Sequence, residues 1–218
     1  MEKKNMIIIG VVVVIIAALA VVFATGALTG NGPTTAFTTD FMAGSFSGDV
    51  AKADTNESFV ASYTDNEHNI TYNLTTLDNS SALMEIYKFQ GVVGPEQRSY
   101  NGNDWNIYFG EAMPVVDNST NVSSNQSMGI IICESQQESQ GYVIYAIFGD
   151  LNKVNFTLNT FGDAYTNYIE PLLKTISLKQ SGDVPSVNEE FGLSEDEFNE
   201  QIDLIHQVNA GNLSAVQG

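Results

Sequence analysis

The sequence predicts an α+β protein: a single N-terminal transmembrane helix, then an antiparallel sheet with helices packed on one face in the order β-β-β-α-β-β-β-β-α, and a C-terminal amphipathic helix. Three observations predict it. Met6 to Leu28 is a run of 23 residues without a charge. Beyond it, short segments alternate apolar and polar residues with the period of a half-buried strand. Among and after them, apolar residues recur at the three-and-four spacing of a helix.

At 1.5 Å per residue the first run makes about 34 Å of helix, enough to cross a hydrocarbon core of about 30 Å. Val11 to Val14, Ile15 and Ile16 are β-branched and poor in a water-soluble helix, but lipid forces the backbone to bond internally. Lys3 and Lys4 stand just ahead of the run, which places the N-terminus in the cytoplasm and residues 29–218 outside. A cleaved signal peptide is the alternative. It fits less well, because its apolar region is usually about 7 to 15 residues and the small-x-small site Ala18-Leu19-Ala20 falls inside the run. The expected organisation is a cytoplasmic stub (1–5), the anchor (6–28), a Gly- and Pro-broken linker (29–40), an extracytoplasmic domain (41–180), a second linker (181–193), and a terminal helix with its tail (194–218).

The chain has 26 acidic and 8 basic residues; setting aside Glu2, Lys3 and Lys4 leaves 25 against six, a net of −19 on the external part. Such a surface repels nucleic acid and anionic headgroups, so neither is a partner. The expected partners are the membrane, through Met6 to Leu28, and an envelope protein or glycan. Cys133 is the lone cysteine, so no intrachain disulfide forms. Within Ile130-Ile131-Ile132-Cys133 it reads as a small buried hydrophobe.

Taken in order, Phe41 to Val50 alternates bulky and small residues as a first strand. Phe59, Ala61 and Tyr63 face one side of a second, Asp65 to Asn69 is turn chemistry, and Ile70, Tyr72 and Leu74 return as the other arm of a hairpin. Asn79 to Phe89 is a helix, capped by Asn79 or Ser80, with Leu83, Ile86 and Tyr87 inward. Gly91 to Asp104 is a loop. Trp105 to Phe109 is a strand, followed by a polar insertion from Pro114 to Gln126. Gly129 to Cys133 and Tyr142 to Phe148 are apolar on both faces and therefore central strands. Glu134 to Gln140 reads as their solvated connection. Val154 to Leu158 alternates once more. A helix from Asp163 turns Tyr165, Ile169, Leu172 and Ile176 inward, with a kink or a fresh helix start at Pro171. Ser194 and Glu197 form a capping box, and Phe198, Ile202, Ile205 and His206 make the stripe of the terminal helix.

The over-represented motif is Asn-x-Ser/Thr. It begins at Asn56, Asn69, Asn73, Asn79, Asn118, Asn121, Asn125, Asn155 and Asn212, never with proline in the middle. All lie on the external side of the anchor, and each is a candidate N-glycosylation site. In the strands of Ile70 to Leu74 and Val154 to Leu158 the period of two points Asn69, Asn73 and Asn155 away from the apolar face, where a glycan needs to be.

Other chemistry is sparse. His68 and His206 are the only histidines and no metal-ligand spacing occurs, so no metal is expected. Asp117 to Asn121 begins like a calcium loop, but Val122 and Met128 stand where a glycine and a glutamate are required. No nucleophile elbow, phosphate loop or dinucleotide fingerprint is present, so no catalytic residue and no cofactor are expected. Glu134 and Glu138, in the connection, read as parts of a solvated turn rather than as an acid–base pair. Trp105, Tyr108, Tyr142 and Tyr145 read as core aromatics rather than a carbohydrate-stacking face.

The series Phe41-x-x-Gly44-x-Phe46-x-Gly48, Tyr63-Thr64-Asp65, Ile70-Thr71-Tyr72, Trp105-x-Ile107-Tyr108, Gly141-Tyr142 and Leu172-Leu173-Lys174-Thr175-Ile176 resembles small membrane-anchored surface proteins of methanogenic archaea. That resemblance implies a location and no catalytic residue. The strand and helix order is also similar to the PsbP/Mog1-type α/β sandwich. The function expected is that of a membrane-anchored, non-enzymatic surface protein serving envelope structure or partner contact. The alternative is a small-molecule or glycan-binding domain serving a membrane complex.

Overall fold

The computed structural model of the protein describes residues 34–54, 60–112, 128–156 and 161–210, except residues 181, 183 and 191. The Met6 to Leu28 anchor and the Pro114 to Gln126 insertion lie outside the described residues. Among those described, no helix is long and apolar enough to cross a membrane.

The fold is mixed α/β with antiparallel sheets. A three-stranded sheet holds β1 (Thr34–Thr38), β2 (Met42–Ser47) and β10 (Ser177–Leu178). A seven-stranded sheet holds β3 (Val50–Ala53), β4 (Ala61–Asp65), β5 (Ile70–Asp78), β6 (Val93–Tyr100), β7 (Asn103–Ala112), β8 (Met128–Gln137) and β9 (Gln140–Phe148), in the spatial order β3-β4-β5-β9-β8-β7-β6. The predicted central pair is central. Every residue of β9 is buried, because an apolar run on both faces is stable only with cover on both.

That cover comes from two directions, which corrects the expectation of helices on one face. On the first face, Leu74, Ile107, Cys133 and Ile144 stand in one row across four strands. They pack with Phe37, Phe41 and Phe46 of the small sheet and its turn. Ile169, Leu172 and Ile176 complete this core. Ile169 and Leu172 come from a helical segment that passes through a π-helical turn at Tyr165–Ile169 into α2 (Glu170–Leu173), with Pro171 in the first turn of α2, and Ile176 from the connection that follows it to β10. The wider turn ahead of the proline accommodates the missing N–H, as the sequence anticipated. On the second face, Tyr108, Ile132, Val143 and Tyr145 pack under α1 (Ser80–Phe89), α3 (Val187–Glu190) and α4 (Glu195–Asn209). The terminal helix therefore docks on its own domain, through Phe198 and Ile205. His206, expected in its apolar stripe, is exposed.

Four further readings are corrected. Thr34–Thr38, placed in the linker, is a strand whose Phe37 enters the core. Phe41 to Val50 divides between the two sheets at Gly48. Val93–Tyr100, read as loop, is the edge strand β6; it is mostly exposed and has no apolar alternation to betray it. Val154 and Asn155, read as the start of the strand Val154 to Leu158, lie in turns, and residues 157 and 158 lie outside the described residues.

Candidate functional site

At the end of β5 the chain turns sharply. Asn79 adopts a left-handed conformation (φ 54°, ψ 46°) and its side chain makes no capping bond to α1. Across from it, β8 and β9 are joined by Glu138 and Ser139, with Glu138 also left-handed (φ 53°). The third wall is the approach to α4. The backbone N–H of Asp78 donates to the carbonyl of Pro185 (2.9 Å), and Asp78 and Ser186 form a parallel bridge. Ser186 hydrogen-bonds Asn188, whose Nδ2 donates to the Leu193 carbonyl (3.0 Å). The capping box is as read from the sequence: the Ser194 hydroxyl accepts from the Glu197 N–H, and Glu197 accepts from the Ser194 N–H (3.0 Å). The Ser194 N–H first, and then the Ser194 hydroxyl, which donates to Glu197 Oε2 (2.8 Å), hold the Glu197 carboxyl below the ordinary glutamate range.

These walls enclose an open cleft of about 560 Å³ lined by Asp78, Asn79, Glu138, Asn188, Glu195 and Asn199, with Gln136 and serine hydroxyls between them. Among the described residues three carboxylates face it and no lysine or arginine does. Planar amides, hydroxyls and carboxylates suit a hydroxyl-rich or cationic ligand. Among the described residues, no group of three or more His, Cys, Asp or Glu side chains is placed to hold a metal ion.

Behind the cleft lies a buried polar knot that sequence reading placed in solvent. β8 continues four residues past Cys133, so Glu134 lies within the sheet and is 1 % exposed. Its Oε1 accepts from the Ser80 hydroxyl (2.7 Å) and its Oε2 from the Asn106 amide (2.8 Å). Ser80 also meets Gln136 Oε1 at 2.9 Å. The start of α1 is thereby fastened to the sheet through a carboxylate. The signal was in the register: Ile130, Ile132 and Glu134 share one face of the strand, and the apolar pair promised cover for the third. The solvated connection is only Glu138 and Ser139.

A second buried carboxylate shapes the β4–β5 turn. Asp65 is enclosed, and it accepts from both the backbone N–H (3.0 Å) and the Nδ1 (2.8 Å) of His68. The His68 ring lies 5.0 Å from that of Tyr168. Burial first, and then the Asp65 charge, raise the Tyr72 and Tyr168 hydroxyls above the usual tyrosine range. The pair closes a turn.

The sequons separate. Asn56, Asn118, Asn121, Asn125 and Asn212 lie outside the described residues. Asn69 is half-buried and left-handed (φ 55°) in the β4–β5 turn rather than on an outer strand face. Asn73 faces the second core, which corrects the outward placement. It is 0 % exposed, and its Oδ1 accepts from the Ser62 hydroxyl (2.7 Å). A glycan has no room there. Asn155 is exposed, in a turn, and its Nδ2 donates to Asp163 (3.1 Å). Asn79 is exposed at the rim of the cleft. Trp105, Tyr108, Tyr142 and Tyr145 are all core residues, and burial raises the Cys133 thiol far above its ordinary range. The chain matches no protein-family model and no curated protein sequence.

Proposed function

We propose that this protein is a membrane-tethered domain displayed outside the cytoplasm, acting by contact in the cell envelope rather than by catalysis. What supports the reading is the filling of the core. The strand aromatics, Trp105 at 1 % exposure foremost, are packed into the two cores rather than lining an apolar ligand face. The cleft beside Asn79 is open, polar and acidic among the described residues. The uncharged run of residues 6–28 behind Lys3 and Lys4 supplies the tether, and the excess of carboxylates keeps the displayed domain soluble. The likeness to anchored surface proteins of methanogenic archaea accords with that placement. The second reading, a domain that takes a hydroxyl-rich molecule, is favoured by the cleft's amide and hydroxyl lining.

The test is fractionation of the full chain from its native membranes. Under the proposal it stays in the pellet after alkaline carbonate washing, and protease added to intact cells removes the domain. Release by carbonate, or full protection in intact cells, refutes it.

A further inference from the structure

Three described sequons can be inspected at both the asparagine and the third residue. In Asn69-Ile70-Thr71 the threonine is buried, and in Asn73-Leu74-Thr75 both residues are. In Asn79-Ser80-Ser81 both Asn79 and Ser81 are exposed, and only the middle serine is buried. The left-handed turn at Asn79 lifts it out of the strand. Its side chain is unused as a helix cap, and the Ser81 hydroxyl donates to its Oδ1 (3.1 Å), while no described protein group holds its Nδ2. Asn79 also lines the cleft, so whatever is attached to it starts at the rim of a concavity of about 560 Å³, within the usual range for small-ligand sites.

We propose that Asn79 carries an N-linked saccharide whose first residues are seated in this cleft. The proposal rests on the extracytoplasmic placement above. The donor is a saccharide bound to a polyprenyl phosphate or pyrophosphate lipid. An oligosaccharyl transferase joins the anomeric carbon to Asn79 Nδ2. The bond between that carbon and the phosphate oxygen breaks, the lipid phosphate leaves with the electron pair, and one Nδ2 proton passes to a base of the transferase. Asn199 offers an amide and Ser139 a hydroxyl to the sugar hydroxyls, and Asp78, Glu138 and Glu195 accept from them. Three carboxylates without a basic counterpart among the described residues repel uronic acids and other anionic sugars, so the seated residues carry no negative charge. The bonds of buried Ser80 to Glu134 and to Gln136 fasten the start of α1 beside the cleft, which keeps the attachment point rigid.

The experiment takes the full chain from its native membranes, with protease accessibility of intact cells scored in parallel. Glycopeptide mass mapping should find a saccharide on the peptide holding Asn79 and none on Asn73. Asn79→Gln and Ser81→Ala should both abolish the Asn79 modification, and Ser81→Thr should retain it. Periodate oxidation of the sugar's vicinal diols should run at least about tenfold slower on native than on denatured protein, because the cleft shields them. An unmodified Asn79 on a protease-accessible domain overturns the proposal and leaves the location standing. A protected domain with no glycan overturns both. Equal oxidation rates before and after denaturation overturn the seating in the cleft.

Discussion

The contact between Gly141 and Ser80 is the tightest constraint on how α1 meets the sheet, and it can be tested with one methyl group. A Cβ added at Gly141 would stand 2.0 Å from Ser80 Oγ and 2.3 Å from Ser80 Cβ. Neither is the far end of a flexible side chain, so the N-terminus of α1 must move. Two costs follow. Overpacking a filled core costs about 1–3 kcal/mol. Moving Ser80 also breaks its bond to the buried Glu134 carboxylate, and the loss of a hydrogen bond to a charged group costs about 1.5–3 kcal/mol. Gly141→Ala should therefore destabilise the fold by roughly 2–6 kcal/mol, which at a urea slope of about 2 kcal/mol/M lowers the midpoint by roughly 1–3 M. Trp105, the lone tryptophan and fully enclosed, reports the transition by fluorescence. The double variant Ser80→Gly, Gly141→Ala removes both clashing atoms but not the lost bond, so it should fall between the single variant and the parent. A midpoint for Gly141→Ala within about 0.3 M of the parent would refute the reasoning. So would a double variant no better than the single.

Three other outcomes are expected. Asn73→Ala leaves the Ser62 hydroxyl without its acceptor and should cost about 1–3 kcal/mol, whereas Ser62→Ala with Asn73→Leu removes both polar groups and should be near neutral; urea midpoints of the two variants decide it. Cys133, with its thiol raised by burial, should react with a maleimide at pH 8 only after unfolding, and ready labelling of the native chain would contradict its packing. Glu197 has a depressed folded value, so its hold on the start of α4 is complete above the ordinary glutamate value of about 4.3 and lost as pH falls through the lower folded value. Amide exchange in residues 195–199 should accelerate in that window, and Glu197→Gln should remove the dependence.

The sequence by itself determined the elements whose signal is local. A continuous apolar run on both faces can only be a central strand, which is how Gly129 to Cys133 and Tyr142 to Phe148 announced the middle of the sheet. The capping box at Ser194 and Glu197 and the break at Pro171 are bonds between neighbours in the chain, so they too were legible. Edge strand β6 was not, because its residues face solvent and need no apolar alternation; its pairing with β7 is what makes it a strand. Which face of β5 meets water was decided only in three dimensions. The polar side of a half-buried strand reads as exposed until something packs over it, and here the second face is enclosed, so Asn73 is buried although its flanking pattern pointed it outward. The cleft is likewise a product of tertiary structure alone. Asp78, Glu138 and Glu195 are separated by more than fifty residues at each step, and no local pattern relates them. Their meeting follows from the return of the chain across the end of β5, fixed by a backbone hydrogen bond to Pro185 that no spacing in the sequence encodes.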